Sequence, residues 1–140
     1  MENKPKFKIG LLCSSFDLMH IGHLRTLEVA SEQCEKIIVC LNVVPENGWK
    51  NKPVQSVYER YKKLSMCKNI SKIIPYESEE DLLLLLQTTT YDVRILGEDY
   101  LGREWTGIGY EACMGIKTLY IDRSHGKSST ELKNRVKING

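Results

Sequence analysis

Short apolar runs alternate with helix-patterned segments along this chain, and that alternation restricts its fold more than any other feature. Ile37-Ile38-Val39-Cys40-Leu41 is apolar without a break, the pattern of a strand covered on both faces. Strands are expected at Phe7–Cys13, Lys36–Val44, Lys72–Pro75, Val93–Gly97 and Lys117–Asp122. Between them, Ile21–Gln33 places Leu24, Leu27 and Ala30 at three-residue spacing, and Val54–Lys68 places Val57, Tyr61 and Leu64 on one stripe. Further helices are expected at Asp81–Thr88, at Ile108–Met114 and after Ser128, the last containing Leu132 and Val136. Pro, Gly, Asn and charged residues mark loops at Pro45–Pro53, Glu77–Glu79 and Glu98–Thr106. Strand and helix in strict alternation predict a parallel sheet with helices on both faces. Right-handed crossovers restrict this to an α/β doubly wound sheet, and a Rossmann-like sheet of five strands in the order 3-2-1-4-5 is expected. Such sheets bind ligands beyond the carboxyl ends of the strands, near the point where strand order reverses. The residues following the first, fourth and fifth strands are therefore the ones to inspect.

With 140 residues, 41% hydrophobic and 27% charged, one domain over 1–140 is expected, large enough to fold around its own core. The longest obvious apolar run, Leu82–Leu86, is far short of the ~18 residues that a membrane span needs. Met1-Glu2-Asn3-Lys4 leads straight into a strand-like segment without the pattern of a secretory leader, so a cytoplasmic protein is expected. A formal net charge of +2 is too small to point to a nucleic acid or a membrane surface as partner. The five cysteines (Cys13, Cys34, Cys40, Cys67 and Cys113) are odd in number and contain no Cys-x-x-Cys pair. Reduced thiols acting as small hydrophobes fit this best; a thiolate metal site or redox pair is the lesser alternative.

Two stretches carry chemistry. The first strand is followed by Ser14-Ser15-Phe16-Asp17-Leu18-Met19-His20-Ile21-Gly22-His23. Two histidines three apart lie near each other at the start of a helix. Gly22 between them removes a side chain where a ligand must approach the backbone, and small Ser14 and Ser15 also allow close approach. The helix start supplies unpaired N–H groups and a positive dipole end, which together make a cradle for a polyphosphate. His-x-x-His alone is as readily a surface pair or half a metal site. A metal is less favoured because the one remaining histidine, His125, is far along the chain.

The second stretch is Arg123-Ser124-His125-Gly126-Lys127-Ser128-Ser129-Thr130, directly after the last strand. Hydroxyls at Ser128, Ser129 and Thr130 suit an N-cap, with Glu131 favourable to the dipole. Capping accounts for the hydroxyls but not for Arg123 and Gly126. A cation, a glycine and hydroxyls at a helix start form a second phosphate site. The Gly-x-x-x-x-Gly-Lys of a Walker A loop is absent.

Phe16-Asp17-x-x-His20-x-Gly22-His23, taken with Arg123-x-x-Gly126-x-Ser128-Ser129-Thr130, resembles the cytidylyltransferase branch of the HxGH nucleotidyltransferase superfamily, nearest to the glycerol-3-phosphate cytidylyltransferases. The likeness runs over nearly the whole chain in motif order and length. It implies that Ser14, Ser15, Phe16, Asp17, Gly22, Gly126, Ser128, Ser129 and Thr130 bind the nucleotide. Lys50-Asn51-Lys52-Pro53 followed by Val57-Tyr58-Glu59-Arg60 resembles the family's lysine-bearing loop and arginine-bearing helix. Lys50, Lys52 and Arg60 would then bind the acceptor, although Glu59, Arg60, Lys62 and Lys63 equally suit a solvated face. Gly97-Glu98-Asp99-Tyr100 resembles the family's Gly-Asp-Asp-Trp, which puts Asp99 and Tyr100 beside the nucleotide. The chain departs from the family in having Ser14-Ser15 for Gly-Thr, Lys127 for an aliphatic residue, and an unlike segment, Leu101–Gly109, expected to govern acceptor choice.

The resemblance implies that an acceptor phosphate attacks the α-phosphorus of CTP in line, giving a CDP-alcohol and pyrophosphate. A phosphate dianion needs no general base, so catalysis rests on positioning and charge stabilisation. His20, His23, Lys52 and Arg123 are the expected catalytic residues, Mg²⁺ rides on the CTP phosphates, and a homodimer is expected. The acceptor is a small phosphorylated alcohol, glycerol 3-phosphate or a related polyol phosphate. Two other functions compete: ATP-dependent adenylyl transfer to a sugar, flavin or pantetheine phosphate on the same architecture, and nucleotide binding without turnover.

Overall fold

The computed structural model describes residues 4–16, 21–43 and 55–122. Ten elements follow in order: β1 (Phe7–Ser14), α1 (Ile21–Gln33), β2 (Cys34–Asn42), α2 (Val57–Ser65), β3 (Ile70–Tyr76), α3 (Glu79–Thr88), β4 (Val93–Gly97), a 3₁₀ turn (Glu98–Tyr100), α4 (Ile108–Met114) and β5 (Lys117–Ile121). The strands form one sheet in the order β3-β2-β1-β4-β5, the order expected from sequence. All the pairings are parallel.

Alternation along each strand sorts the side chains into two cores. Leu12, Ile37, Val39, Leu41, Val93 and Ile95 face α1 and α2, where Leu27, Ala30 and Leu64 meet them. Leu11, Ile38 and Cys40 face the opposite way, onto Leu82 and Leu86 of α3. Gly10 on β1 permits this packing, because a Cβ there would stand 2.6 Å from the Cys34 sulfur and 2.8 Å from Ile95 Cδ1.

Several expected boundaries shift. Burial of Cys34 starts β2 directly at the end of α1, two residues before Lys36. Ladder pairing carries β3 out to Ile70 and Tyr76. Helix α2 begins at Val57 because Ser56 caps it: its hydroxyl accepts from the Glu59 N–H at 3.1 Å while the Glu59 carboxylate accepts from the Ser56 N–H at 3.0 Å. Helix α3 takes in Glu79 because the Ser78 hydroxyl caps it, accepting from the Asp81 N–H at 3.1 Å. The expected stripes are corrected as well. On α1, Leu24 is exposed and Thr26 is buried beside Leu27; on α2, Tyr61 is exposed and the buried pair is Arg60 and Leu64, one turn apart. The helix expected after Ser128 lies outside the described residues. Among the described residues no helix is long and apolar enough to cross a membrane.

Candidate active site

Strand order reverses between β1 and β4, whose neighbours lie on opposite sides. Helices α1 and α2 pack on one face and α3 on the other, so the chain leaves β1 and β4 in different directions and a cavity opens there. It has a volume of about 560 Å³, and its wall includes Ser14, Thr26, Asn42, Arg94, Tyr100 and Trp105.

At the end of β1 a side chain bonds the backbone just beyond it. The Ser14 hydroxyl accepts from the Phe16 N–H at 3.2 Å. Phe16 adopts φ 49°, the sole non-glycine residue with a positive φ among the described residues. That conformation is costly for a bulky side chain and persists where packing imposes it. Here the Phe16 ring is buried in the core and meets the His23 ring at 5.2 Å between centroids, tilted by 48°. Gly22 and His23 stand in the first turn of α1, and the half-buried His23 ring is thus held against Phe16 at the helix start.

Arg60 takes a different part from the one expected. It is 2% exposed, which excludes the solvated-face reading. Its Nη1 donates to the carbonyls of Ser15 at 3.1 Å and Asn42 at 2.7 Å, its Nη2 to Val43 at 2.8 Å and its Nε to Gln55 at 3.2 Å. Four of the five N–H donors of a guanidinium are committed to backbone, so Arg60 ties the ends of β1 and β2 to α2 and frames the site rather than presenting its charge to an acceptor.

The opposite wall was not anticipated. Arg94 is 3% exposed in the middle of β4, and its Nη1 donates to Glu111 Oε2 at 2.9 Å and to the Thr106 carbonyl at 3.1 Å. Glu111 also accepts from the Tyr91 hydroxyl at 2.7 Å and from Trp105 Nε1 at 2.9 Å. Burial, and then the hydrogen bond to Glu111, push the Tyr91 hydroxyl well above the ordinary tyrosine range. The Thr106 hydroxyl donates to Glu79 Oε2 at 2.9 Å, which joins this wall to α3. The signal was present in the sequence: an arginine inside Val93-Arg94-Ile95-Leu96, on a strand buried throughout, must find a carboxylate. Nothing in the sequence said which.

Tyr100 lies in the cavity wall; Asp99, in the same 3₁₀ turn, is exposed and is not part of that wall. Ser14 lies in the wall; Ser15 is not part of it, and its carbonyl accepts from Arg60. Glu104 and Trp105, from the segment expected to govern acceptor choice, are wall residues too. Asp17, His20, Lys50, Lys52, Arg123, Gly126, Ser128, Ser129 and Thr130 lie outside the described residues.

The family model described as "Cytidylyltransferase-like" matches residues 11–135. The "Bifunctional protein HldE" of Gluconacetobacter diazotrophicus is 25% identical over 136 residues, covering 95% of this chain and 28% of that protein. The HldE of Campylobacter fetus is 30% identical over 125 residues, covering 87% of this chain and 26% of that protein. The chain thus spans about a quarter of the length of these relatives. Among solved structures, a lipopolysaccharide core biosynthesis protein from Thermoplasma volcanium superposes with a TM-score of 0.67 at 16% identity, covering 83% of this chain and 97% of that one. A pantoate–β-alanine ligase from Francisella tularensis superposes with a TM-score of 0.60 at 18% identity, covering 94% of this chain and 70% of that one. These two share the fold. The match to the family model over most of the sequence shows that the chain belongs to the cytidylyltransferase-like family of the nucleotidyltransferase superfamily.

Proposed function

We propose that this protein transfers a nucleotidyl group, CMP from CTP, to a small phosphorylated alcohol such as glycerol 3-phosphate or a related polyol phosphate. The observation that carries this reading is the cavity at the strand reversal, walled by Ser14 at the end of β1, Thr26 of α1 and Arg94 of β4, in a chain of the cytidylyltransferase-like family. The acceptor phosphate oxygen attacks the α-phosphorus, the bond to the bridging oxygen breaks, and pyrophosphate leaves with that electron pair. His20 and His23 donate hydrogen bonds to the α-phosphate and the leaving oxygen, where charge grows in the transition state. Arg123 and Lys52 neutralise phosphate charge, with Lys50 beside the acceptor. Ser128, Ser129 and Thr130, with the Gly126 backbone, hold the β- and γ-phosphates, and Asp17 with Gly22 belongs to the same nucleotide cradle. Mg²⁺ carried on the triphosphate adds charge neutralisation. Tyr100 offers its ring to the base; Asp99 is exposed in the same 3₁₀ turn.

A second reading keeps the same chemistry with ATP. It is favoured by the fold shared with a pantoate–β-alanine ligase that was crystallised with "Beta-gamma ATP". Pyrophosphate release and product mass, measured with CTP and with ATP over a panel of phosphorylated alcohols, separate the two. A CDP-alcohol is the expected product. An ADP-linked product selects the second reading, and binding of both nucleotides without turnover rejects transfer altogether.

A further inference from the structure

Cys13 and Cys40 stand apart from the other cysteines. They are direct partners in the β1–β2 ladder. Both project to the face that packs against α3, since each belongs with Leu11, Ile38 and Leu82 in one core. Neighbouring strands run about 4.8 Å apart, inside the Cα separation of roughly 4.4–6.8 Å that a disulfide requires. Cys13 is partly exposed and belongs to the cavity wall, whereas Cys40, at 0% exposure, does not.

We propose that Cys13 and Cys40 form a dithiol modification site in the cavity wall, at which a small disulfide exchanges to leave β1 and β2 joined by a Cys13–Cys40 bond. The inference stands on strand register and cavity access, independently of nucleotidyl transfer. The Cys13 thiolate attacks one sulfur of the incoming disulfide; that S–S bond breaks, and one thiolate leaves and takes up a proton. Cys40 then loses its proton to solvent and attacks the Cys13 sulfur, expelling the second thiol. Two protein thiols are oxidised and one disulfide is reduced to two thiols, so no other oxidant is needed.

The surroundings assign the order of attack. The hydrogen bond from the Cys40 thiol, with Arg94 nearby, brings the Cys13 thiol below the ordinary range despite its burial and the Glu111 and Glu79 carboxylates. The same hydrogen bond and burial push Cys40 up. Capping Cys13 removes the charge that holds the Cys40 proton, which frees Cys40 for the second step. The Tyr76 hydroxyl near the pair is pushed up by burial and stays neutral. Cys34 has no such partner and is pushed up to about 11 by burial. Cys113 is exposed on α4.

The test treats the reduced full chain, carrying Cys113→Ser to remove the exposed thiol, with glutathione disulfide. Alkylation and peptide mass spectrometry follow. The expected result is a Cys13–Cys40 cross-linked peptide, formed about tenfold faster than any adduct at Cys34 and reversed by dithiothreitol. In the Cys40→Ser variant the reaction stops at a glutathione adduct on Cys13. The same mapping on the unsubstituted chain needs no variant to fold. A Cys13 adduct that persists while Cys40 stays reduced, or oxidation of Cys34 and Cys67 with both members of the pair still alkylatable, overturns the proposal.

Discussion

Glu111 on α4 holds Arg94 on β4 at 2.9 Å with both side chains almost wholly removed from solvent, and the same carboxylate accepts from Trp105 in the cavity wall. One acidic side chain therefore joins the sheet, a helix and the site. Replacing Glu111 by Ala leaves the guanidinium buried without its partner, which costs ~3–5 kcal/mol. The Arg94→Met/Glu111→Leu double variant should recover only part of that loss: it removes the unpaired charge, but the Tyr91 hydroxyl and the Trp105 N–H still lose their acceptor. Urea midpoints of the three proteins check this; a Glu111→Ala midpoint equal to that of the parent contradicts it.

Arg60 satisfies four backbone carbonyls at once. Arg60→Ala leaves them without those donors, at a cost of about 1–3 kcal/mol for each buried one that water does not reach. A total of at least ~3 kcal/mol is expected. Arg60→Lys should restore little of it, because an ammonium lacks the planar fork. Equilibrium unfolding of both variants decides; full rescue by lysine contradicts the framing role.

Gly107 and Gly102 both adopt positive φ, at +96° and +78°, but only Gly107 faces a packed neighbour, with a Cβ there 2.5 Å from Leu86 Cδ1. Gly102→Ala carries backbone strain of ~1–2 kcal/mol. Gly107→Ala adds overpacking of about 1–3 kcal/mol against a fully buried leucine. The Tm of Gly107→Ala should fall well below that of Gly102→Ala, and equal losses contradict the contact.

The sheet was legible because its central strands β1, β2 and β4 carry runs apolar enough to be covered on both faces and each crossover is long enough for a helix. Much of the site was not, because its members are set by contacts between distant segments. Glu111 reads as an ordinary acid in a short helix, and Asn42 as the end of a strand; only the fold brings them to Arg94 and Arg60. The helix stripes failed at Leu24 and Tyr61 for a related reason: spacing marks a possible face, while the sheet decides which face is covered.

Cys34 is one of several buried groups, with Cys40, Tyr76 and Tyr91, that make stability fall at alkaline pH. Its thiol is raised from 9.0 to about 11, burial being the main cause with the Asp92 charge adding to it. A folded value above the unfolded one means that the stabilisation is complete below pH 9 and is lost as pH rises toward 11. The unfolded chain releases this proton first, so unfolding is favoured across that window. Denaturation midpoints measured from pH 8 to 11 should fall for the parent and fall less for Cys34→Ala; parallel curves contradict the assignment.

Transfer itself is tested most directly at His23, held against Phe16 at the start of α1. Product formation from CTP and a phosphorylated alcohol, followed by phosphorus NMR in the presence of Mg²⁺, is the measurement. Loss of one preorganised donor to the transition state should slow His23→Ala by roughly a hundredfold to a thousandfold. Turnover within twofold of the parent contradicts the site proposed here.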